Sequence, residues 1–539
     1  MHRSNSITLA LVSAAGLFGA SPAFAQDFNG DGIADIAIGA PFEDVGAFVD
    51  DGADTVIYGN AGPGLSAFVP IPSIQLLQST FGYDLNEAGD NFGASIAWGD
   101  FNGDGFDDLA IGAPGEDAPG AGPVDCGAVY IYHGFAGGFV PAGMAIWHQG
   151  VAGEILEVGD QFGFALASGD FNADGFSDLA VGAPFEDLAF ANQGLLHQIG
   201  GSPGGLFPGM VATPMFIQSA FGDPAEANDQ FGQVLAAGQL DAFPGDDLAI
   251  GVPAEDFAGD GDCGMVNVCY AMPGLGLDIA AVTVPETWTQ DSPGVPQATN
   301  PGDSFGHALA IGDFDGNLSE DLAIGVPLED IGANVNAGYV NVIYSGGPVI
   351  GLDAFGPVAA EGWHQGIAGI PEVNDPNDWF GYSLASGSFN GDRFDDLAVG
   401  VPLEDVVAVT DAGYVNTIYG AGAAIGLDAF GPVAAEGWHQ NSAGVPDANE
   451  ASDRCGWSLT TGDYDKNGCA DLAWGANGED IAANPDSGLV NVVHGNTVPL
   501  MGLDGVFPIP AQAWTQNSAG IPDYNEPGDA WGSALDNDD

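Results

Sequence analysis

Positive charge is almost missing from this chain. Of its 539 residues, four are Lys or Arg against 75 Asp or Glu, a formal net charge of −71. That excludes nucleic acid as a partner, because phosphate backbones are held by Lys and Arg, and it disfavours anionic membrane surfaces. Divalent cations are the natural counter-charge. Cysteine is scarce as well: Cys126, Cys263, Cys269, Cys455 and Cys469 are too few and too scattered for a disulfide framework. Cys263/Cys269 and Cys455/Cys469 are close enough in sequence to pair in an oxidising compartment or to remain thiols, and the odd total leaves at least one unpaired. Beyond the N-terminal segment no run reaches the ~18 apolar residues of a membrane-spanning helix, so no membrane insertion is expected. Glycine is abundant instead, with 86 residues beside 35 prolines, while hydrophobic residues make up 46% and aromatics 10%. Such a chain has enough apolar surface for a core and the punctuation of a turn-rich all-β protein.

The first 25 residues read as an export signal. Arg3 supplies the positive start, Ile7 to Ala20 the apolar stretch, and Ala23-Phe24-Ala25 the small-x-small cleavage site. The expected mature chain is 26–539, secreted or held at the cell surface, with the periplasm as a further possible compartment.

An acidic stretch recurs along the chain, starting near residues 27, 100, 170, 239, 313, 388 and 463, a spacing of roughly 70–75 residues that marks a repeat architecture. Gly351 to Gln365 and Gly426 to Gln440 are identical, a visible duplication. Each unit holds four strand-like segments. In the second they are Phe92–Ala97, Asp108–Pro114, Gly127–Tyr132 and a segment leading to Trp147-His148-Gln149, the last echoed at Trp288, Trp363, Trp438 and Trp514. Seven such units predict a single all-β domain over 26–539, a seven-bladed β-propeller. The first unit starts at its acidic loop. Trp514-Thr515-Gln516 and Asp529 to Leu535 are therefore expected to return, complete the first blade and close the ring.

Phe-Gly, then an acidic loop, then Gly-Ala-Pro is a pattern that resembles the FG-GAP repeat of the integrin alpha-chain N-terminal propeller, over essentially all of 27–535. The resemblance implies a propeller with metal loops; no inserted ligand domain, β-sandwich stalk or membrane helix accompanies it.

The loops carry the chemistry. Calcium takes six to eight hard oxygens, and a nine-residue acidic loop offers them from the side chains at positions 1, 3, 5 and 9 and the carbonyl at 7. The expected ligands are Asp27, Asn29, Asp31, Ile33 and Asp35; Asp100, Asn102, Asp104, Phe106 and Asp108; and Asp170, Asn172, Asp174, Phe176 and Asp178. The fifth unit supplies Asp313, Asp315, Asn317, Ser319 and Asp321, with Leu318 where glycine belongs; the seventh supplies Asp463, Asp465, Asn467, Cys469 and Asp471. The sixth keeps Asn390, Asp392, Phe394 and Asp396, but Ser388 replaces the first Asp, and Arg393 stands where a cation opposes calcium. The fourth, with Gln239 and Phe243, is expected to bind nothing. Four to six Ca2+ ions result.

Other features are read as structural. Gly302-Asp303-Ser304-Phe305-Gly306 matches a nucleophile-elbow pattern, but sister units hold Gln161 and Asn91 at the serine position. His148, His364 and His439 alternate with Thr289 and Thr515. Seven Glu-Asp pairs, such as Glu43-Asp44 and Glu116-Asp117, are assigned a loop or surface role. The expected function is a calcium-binding adhesion-type module for an extracellular protein or polysaccharide, and not an enzyme. A propeller-fold polysaccharide lyase or hydrolase and a calcium-bridged structural surface protein are the alternatives.

Overall fold

The computed structural model describes residues 26–535, apart from 70, 82–86, 118–122, 140–144, 207–213, 225, 258, 278–284, 347–350, 423–424, 499–500 and 507. The expected export signal lies outside the described residues. Seven antiparallel sheets form the blades of a β-propeller. In blade 2 the order from the axis outward is Ser95–Gly99, Asp108–Ala113, Ala128–Tyr132 and Ala145–Trp147. Ile96 stands opposite Ile111, Ile111 opposite Tyr130, and Tyr130 opposite Ile146. The second strands, from Ile36–Ala40 to Asp471–Ala476, are buried along their whole length. Neighbouring blades cover both of their faces, which is why they read as short continuous apolar runs rather than alternating ones. The core is therefore divided among the blade junctions: Phe92, Tyr130 and Tyr132 of blade 2 pack with Phe28, Val56 and Tyr58 of blade 1.

The inner strands Ser95–Gly99, Ala165–Gly169, Val234–Gly238, Ala308–Gly312, Ser383–Gly387, Cys455–Gly462 and Ala534–Leu535 touch one another in a closed circle. Blade 1 joins both ends of the chain. Ile36–Ala40 pairs with Ala53–Ile57 on one side and with Ala534–Leu535 on the other, with Ile38 opposite Leu535. One expectation needs correction here. Only the last segment completes blade 1, whose outer strand is its own Ile74–Leu76; Trp514 lies in Gln512–Trp514, the outer strand of blade 7.

The Phe-Gly pairs precede the inner strands, where the sequence had suggested their first residues, and serve as joints. Phe92 forms a parallel bridge with Gly52 of the preceding blade, repeated for example at Gly194/Phe231, Gly338/Phe380 and Gly488/Trp531. The glycine after each Phe meets the glycine of the preceding blade's second strand. A Cβ on Gly39, Gly112, Gly182, Gly251, Gly325, Gly400 or Gly475 would lie 2.0–2.2 Å from the carbonyl oxygen of Gly93, Gly163, Gly232, Gly306, Gly381, Gly456 or Gly532 respectively. Backbone meets backbone at all seven junctions, and only glycine allows that approach. The five cysteines are buried free thiols, so neither close pair is bonded.

Candidate metal centres and the opposite face

In blades 2 to 7 the acidic loop joins the inner strand to the second strand, and in blade 1 it leads into the second strand Ile36–Ala40, so all seven lie on one face of the ring. The first Asp organises the loop by accepting backbone N–H groups four and five residues on: Asp27 from Asp31 and Gly32, Asp170 from Asp174 and Gly175, Asp463 from Asn467 and Gly468. The ninth residue is buried and clamped at the start of the second strand. One oxygen of its carboxylate accepts a backbone N–H from the end of the third strand or just beyond it: Gly59 to Asp35, Gly134 to Asp108, Gly201 to Asp178, Ser345 to Asp321, Gly420 to Asp396, Gly495 to Asp471. Burial pushes these carboxyls up: Asp35, Asp321 and Asp396 lie well above the usual range, and Asp178 and Asp471 reach about 7. A residue at position 7 ties loop to loop. The rings of Phe106, Phe176 and Phe394 lie against Gly30, Gly103 and Gly316 of the preceding blade's loop.

The loops then divide by the residue at position 3. In the first three it is Asn29, Asn102 or Asn172, whose amide donates to the ninth Asp at 3.1–3.3 Å. The position-5 carboxylates Asp31, Asp104 and Asp174 are exposed. In the fifth and seventh loops position 3 is Asp315 or Asp465, both buried. Among the described residues two groups bring three donor atoms within 4.8 Å of one another, Asp313/Asp315/Asp321 and Asp465/Asp471/His494. Asp465 Oδ2 is buried without a hydrogen-bond partner. Buried carboxylates at this separation repel one another unless a proton or a cation stands between them, and hard oxygen donors of this kind suit calcium.

Leu318, at the glycine position of the fifth loop, adopts φ 74° with its side chain 90% exposed, so the turn is kept at the cost of local backbone strain. In the sixth loop the Arg393 guanidinium lies over the Phe394 ring, 4.7 Å from its centroid, and Ser388 Oγ donates to the Asp392 carbonyl. In the fourth, Gln239 Nε2 donates to the Phe243 carbonyl at 2.8 Å, closing the turn with an amide. His494 was not among the expected ligands, because it follows the third strand and lies outside the loop in sequence. The column itself held a signal: four sister units carry Tyr58, Tyr270, Tyr344 and Tyr419 there, and the second carries His133. His133 Nδ1 is 2.8 Å from Asp108 Oδ2.

The opposite face carries a second sevenfold set. The Glu of each Glu-Asp pair is 2–4% exposed and accepts a hydrogen bond from the Gln that ends the previous blade's outer segment. The pairs are Gln78–Glu116, Gln149–Glu186, Gln218–Glu255, Gln290–Glu329, Gln365–Glu404, Gln440–Glu479 and, across the chain ends, Gln516–Glu43. The surface assignment therefore holds for the second residue only: Asp44, Asp117 and their counterparts cap exposed turns, whereas the Glu is an interblade latch. Burial and then neighbouring carboxylates push these acids up, Glu43 to about 9, Glu404 and Glu479 to about 8. Ser304 has φ 60° in the turn before an inner strand, as Gln161 and Asn91 do in theirs, and no helix follows it, so the elbow pattern is accidental. His364 and His439 hydrogen-bond Asn374 and Asn449 and stand against Tyr339 and Tyr414.

On this same face the sevenfold pattern breaks at the axis. The residue after each Phe-Gly, or its equivalent, lines a central cavity of about 330 Å3: Ala94, Phe164, Gln233, His307, Tyr382, Trp457 and Ser533. Three of these form an aromatic crescent, with His307 and Tyr382 rings 4.9 Å apart and Tyr382 and Trp457 4.7 Å apart. Trp379 stacks on Tyr382 at 5.6 Å, and the Arg454 guanidinium lies 5.7 Å from the Trp457 ring. Burial lowers His307 to about 4, keeping it neutral.

Comparison with known proteins places these features. The FG-GAP repeat family matches residues 18–58, 92–132, 162–197, 380–415 and 456–493. Integrin alpha-4 of Xenopus laevis is 35% identical over 168 residues, covering 31% of this chain and 14% of that protein. Integrin alpha-PS2 of Drosophila melanogaster is 32% identical over 238 residues, 43% of this chain and 15% of that protein. Phosphatidylinositol-glycan-specific phospholipase D of Homo sapiens is 34% identical over 192 residues, 34% of this chain and 21% of that protein. The matches thus span 14–21% of these relatives' length. Among solved structures, rhamnogalacturonan lyase YesW overlaps 94% of this chain and 95% of its own at 13% identity and a TM-score of 0.32. Bacillus licheniformis rhamnogalacturonan lyase PL11 overlaps 65% and 63% at 13% identity and a TM-score of 0.30. Overlaps that loose carry no argument. The phospholipase does correct one expectation: a relative of this sequence is an enzyme, so kinship no longer supports reading the chain as a non-enzyme. Among the described residues no helix is long and apolar enough to cross a membrane. The chain folds as a seven-bladed β-propeller in which five segments match the FG-GAP repeat, and it is similar in sequence to integrin alpha chains.

Proposed function

We propose that the protein is an extracellular recognition propeller, stabilised by calcium in its all-oxygen loops, that binds a polysaccharide or protein ligand at the channel mouth opposite those loops. The observation that carries this reading is the crescent of His307, Tyr382 and Trp457. It stands where seven equivalent positions meet and where the repeat pattern is abandoned. A concave site with aromatic walls and a few polar groups is the usual form of a ligand site. Flat aromatic faces give large contact area at low entropic cost. Gln233 adds a carbonyl oxygen without a protein partner, and Arg454 adds a cation to a chain with very few. With a formal net charge of −71 over the whole chain, this mouth suits a neutral or sparsely charged glycan better than a polyanion.

Relatedness to integrin alpha chains supports the extracellular placement, and the loop carboxylates support calcium. The test is retention on immobilised neutral polysaccharides. Trp457→Ala and Tyr382→Ala should each weaken retention while leaving the melting temperature near that of the parent. Unchanged retention in both variants would remove the crescent from the reading. Because one relative is an enzyme, the same incubation is assayed for soluble oligosaccharide. Release that depends on His307 would make the mouth a site of polysaccharide cleavage.

A further inference from the structure

The seventh loop differs from its sisters in donor chemistry. Its buried group is Asp465, Asp471 and His494, a nitrogen among oxygens, whereas the fifth loop's Asp313, Asp315 and Asp321 offer oxygen only. His494 is 1% exposed, and neither of its ring nitrogens makes a hydrogen bond. Its Nδ1 lies 3.1 Å from Asp471 Oδ2 and 4.0 Å from Asp465 Oδ2. The first is an ion-pair separation. Two ligand atoms each ~2.0–2.2 Å from one ion lie about 3–3.5 Å apart, so such a contact is also what two ligands of a shared metal look like. The ring is held in place from behind: a Cβ on Gly64 of blade 1 would sit 2.7 Å from His494 Cε1, so Gly64 leaves room for the ring as Gly138, Gly351, Gly426 and Gly502 do for the tyrosines of the sister units. His133, the other histidine of this column, has 11% of its side chain exposed, takes an Asn102 contact at 3.3 Å, and belongs to no three-donor group among the described residues.

Imidazole suits zinc and its first-row neighbours, whereas calcium selects hard oxygens. We propose that the seventh loop is a mixed nitrogen–oxygen site that takes a first-row transition-metal divalent ion, with zinc as its representative, in preference to calcium. His494 Nδ1 and the carboxylates of Asp465 and Asp471 are its protein ligands. The ring thus carries two metal chemistries on one face. This rests on the reading of the acidic loops as metal sites and narrows it for one of them.

The test uses the full mature chain, stripped with chelator and then saturated with calcium, and titrated with Zn2+ and separately with Co2+. One equivalent of Zn2+ should bind over the calcium background, and Co2+ should give a visible absorption band that Zn2+ bleaches. His494→Tyr installs the residue that four sister blades carry and should fold. It should weaken Zn2+ by on the order of 100-fold, the scale expected when a ligand environment is lost, and abolish the cobalt band. Calcium stoichiometry at the first three loops and the fifth should be unchanged. His494→Gln gives a second reading of the same loss. Equal Zn2+ affinity in parent and both variants overturns the proposal, as does a seventh loop filled by calcium that Zn2+ fails to displace. Calcium stoichiometry of zero in the parent would instead sink the broader reading of the loops, a result separable from either zinc outcome.

Discussion

The two faces of the ring tolerate change very differently. On the acidic-loop face the seven copies have diverged: of the five that keep their first Asp, three have Asn at position 3 and two have Asp, while the sixth begins with Ser388 and the fourth closes its turn with the Gln239 amide. On the opposite face all seven Gln–Glu latches and all seven glycine–glycine joints are kept. A loop is a local device, and a poor copy weakens its own blade and the loop beside it. A joint belongs to the circle, and a ring is as closed as its weakest junction, so one failed joint exposes two sheet edges. Repeats inside one chain make that contrast visible directly.

The largest expected effect follows from attacking a joint. Gly112→Ala places a methyl 2.2 Å from the Gly163 carbonyl oxygen, and removal of residues 531–539 takes away the inner strand of blade 1. Both should produce aggregation or a collapse of the melting temperature, measured by scanning calorimetry and light scattering; a stable monomer in either case would break the comparison. Next comes a latch. Gln440→Ala leaves the Glu479 carboxyl buried without its donor and should cost roughly 1–3 kcal/mol, whereas Asp241→Ala in the fourth loop should cost less and leave calcium stoichiometry unaltered. Equal losses in urea titrations would mean that the faces are alike after all.

Calcium gives the third test. Binding to the folded state alone stabilises by about 1.4 kcal/mol per site at tenfold excess over Kd, so chelation should lower the melting temperature clearly. Asp315→Ala should blunt that response more than Asn29→Ala, because the fifth loop gathers buried carboxylates and the first does not. The smallest effect is on pH. Burial raises the latch acids above their unfolded values, Glu186 to about 7, Glu329 and Glu404 to about 8 and Glu43 to about 9. The folded state therefore holds protons that the unfolded chain gives up near pH 4.5. Their contribution is complete below that and is lost as pH rises through 7 to 9. Metal-free protein should melt higher at pH 5 than at pH 9, and Glu404→Gln should flatten the slope; an unchanged pH profile would show that this acid does not titrate with folding.

Much of this was legible in the sequence, because spacing and loop pattern are local. Seven acidic starts gave seven blades, and the ninth Asp of each loop is indeed buried at the start of its second strand. What escaped was relational. Gln149 and Glu186 sit in different units, so their contact is invisible until blades are set side by side, although an unchanging Gln beside an alternating His or Thr was a clue. His494 escaped for the same reason: it reaches the seventh loop across a strand, and only the column of tyrosines it interrupts marks it. The aromatic crescent was hidden because its members differ from one another, which is what a repeat-based reading discards.

The closure of blade 1 has a consequence in time. Gln516 meets Glu43 across 473 residues of chain, and Gly532 donates to the Gly39 carbonyl at 3.0 Å. Joining such distant segments carries a loop-closure cost of about 5 kcal/mol, growing only slowly with length. Blades 2 to 7 each draw all their strands from one stretch of chain, but blade 1 has three of its four strands until the last one is added. Until Ala534–Leu535 pairs with Ile36–Ala40 the arc has two unpaired sheet edges, and that one pairing turns it into a ring.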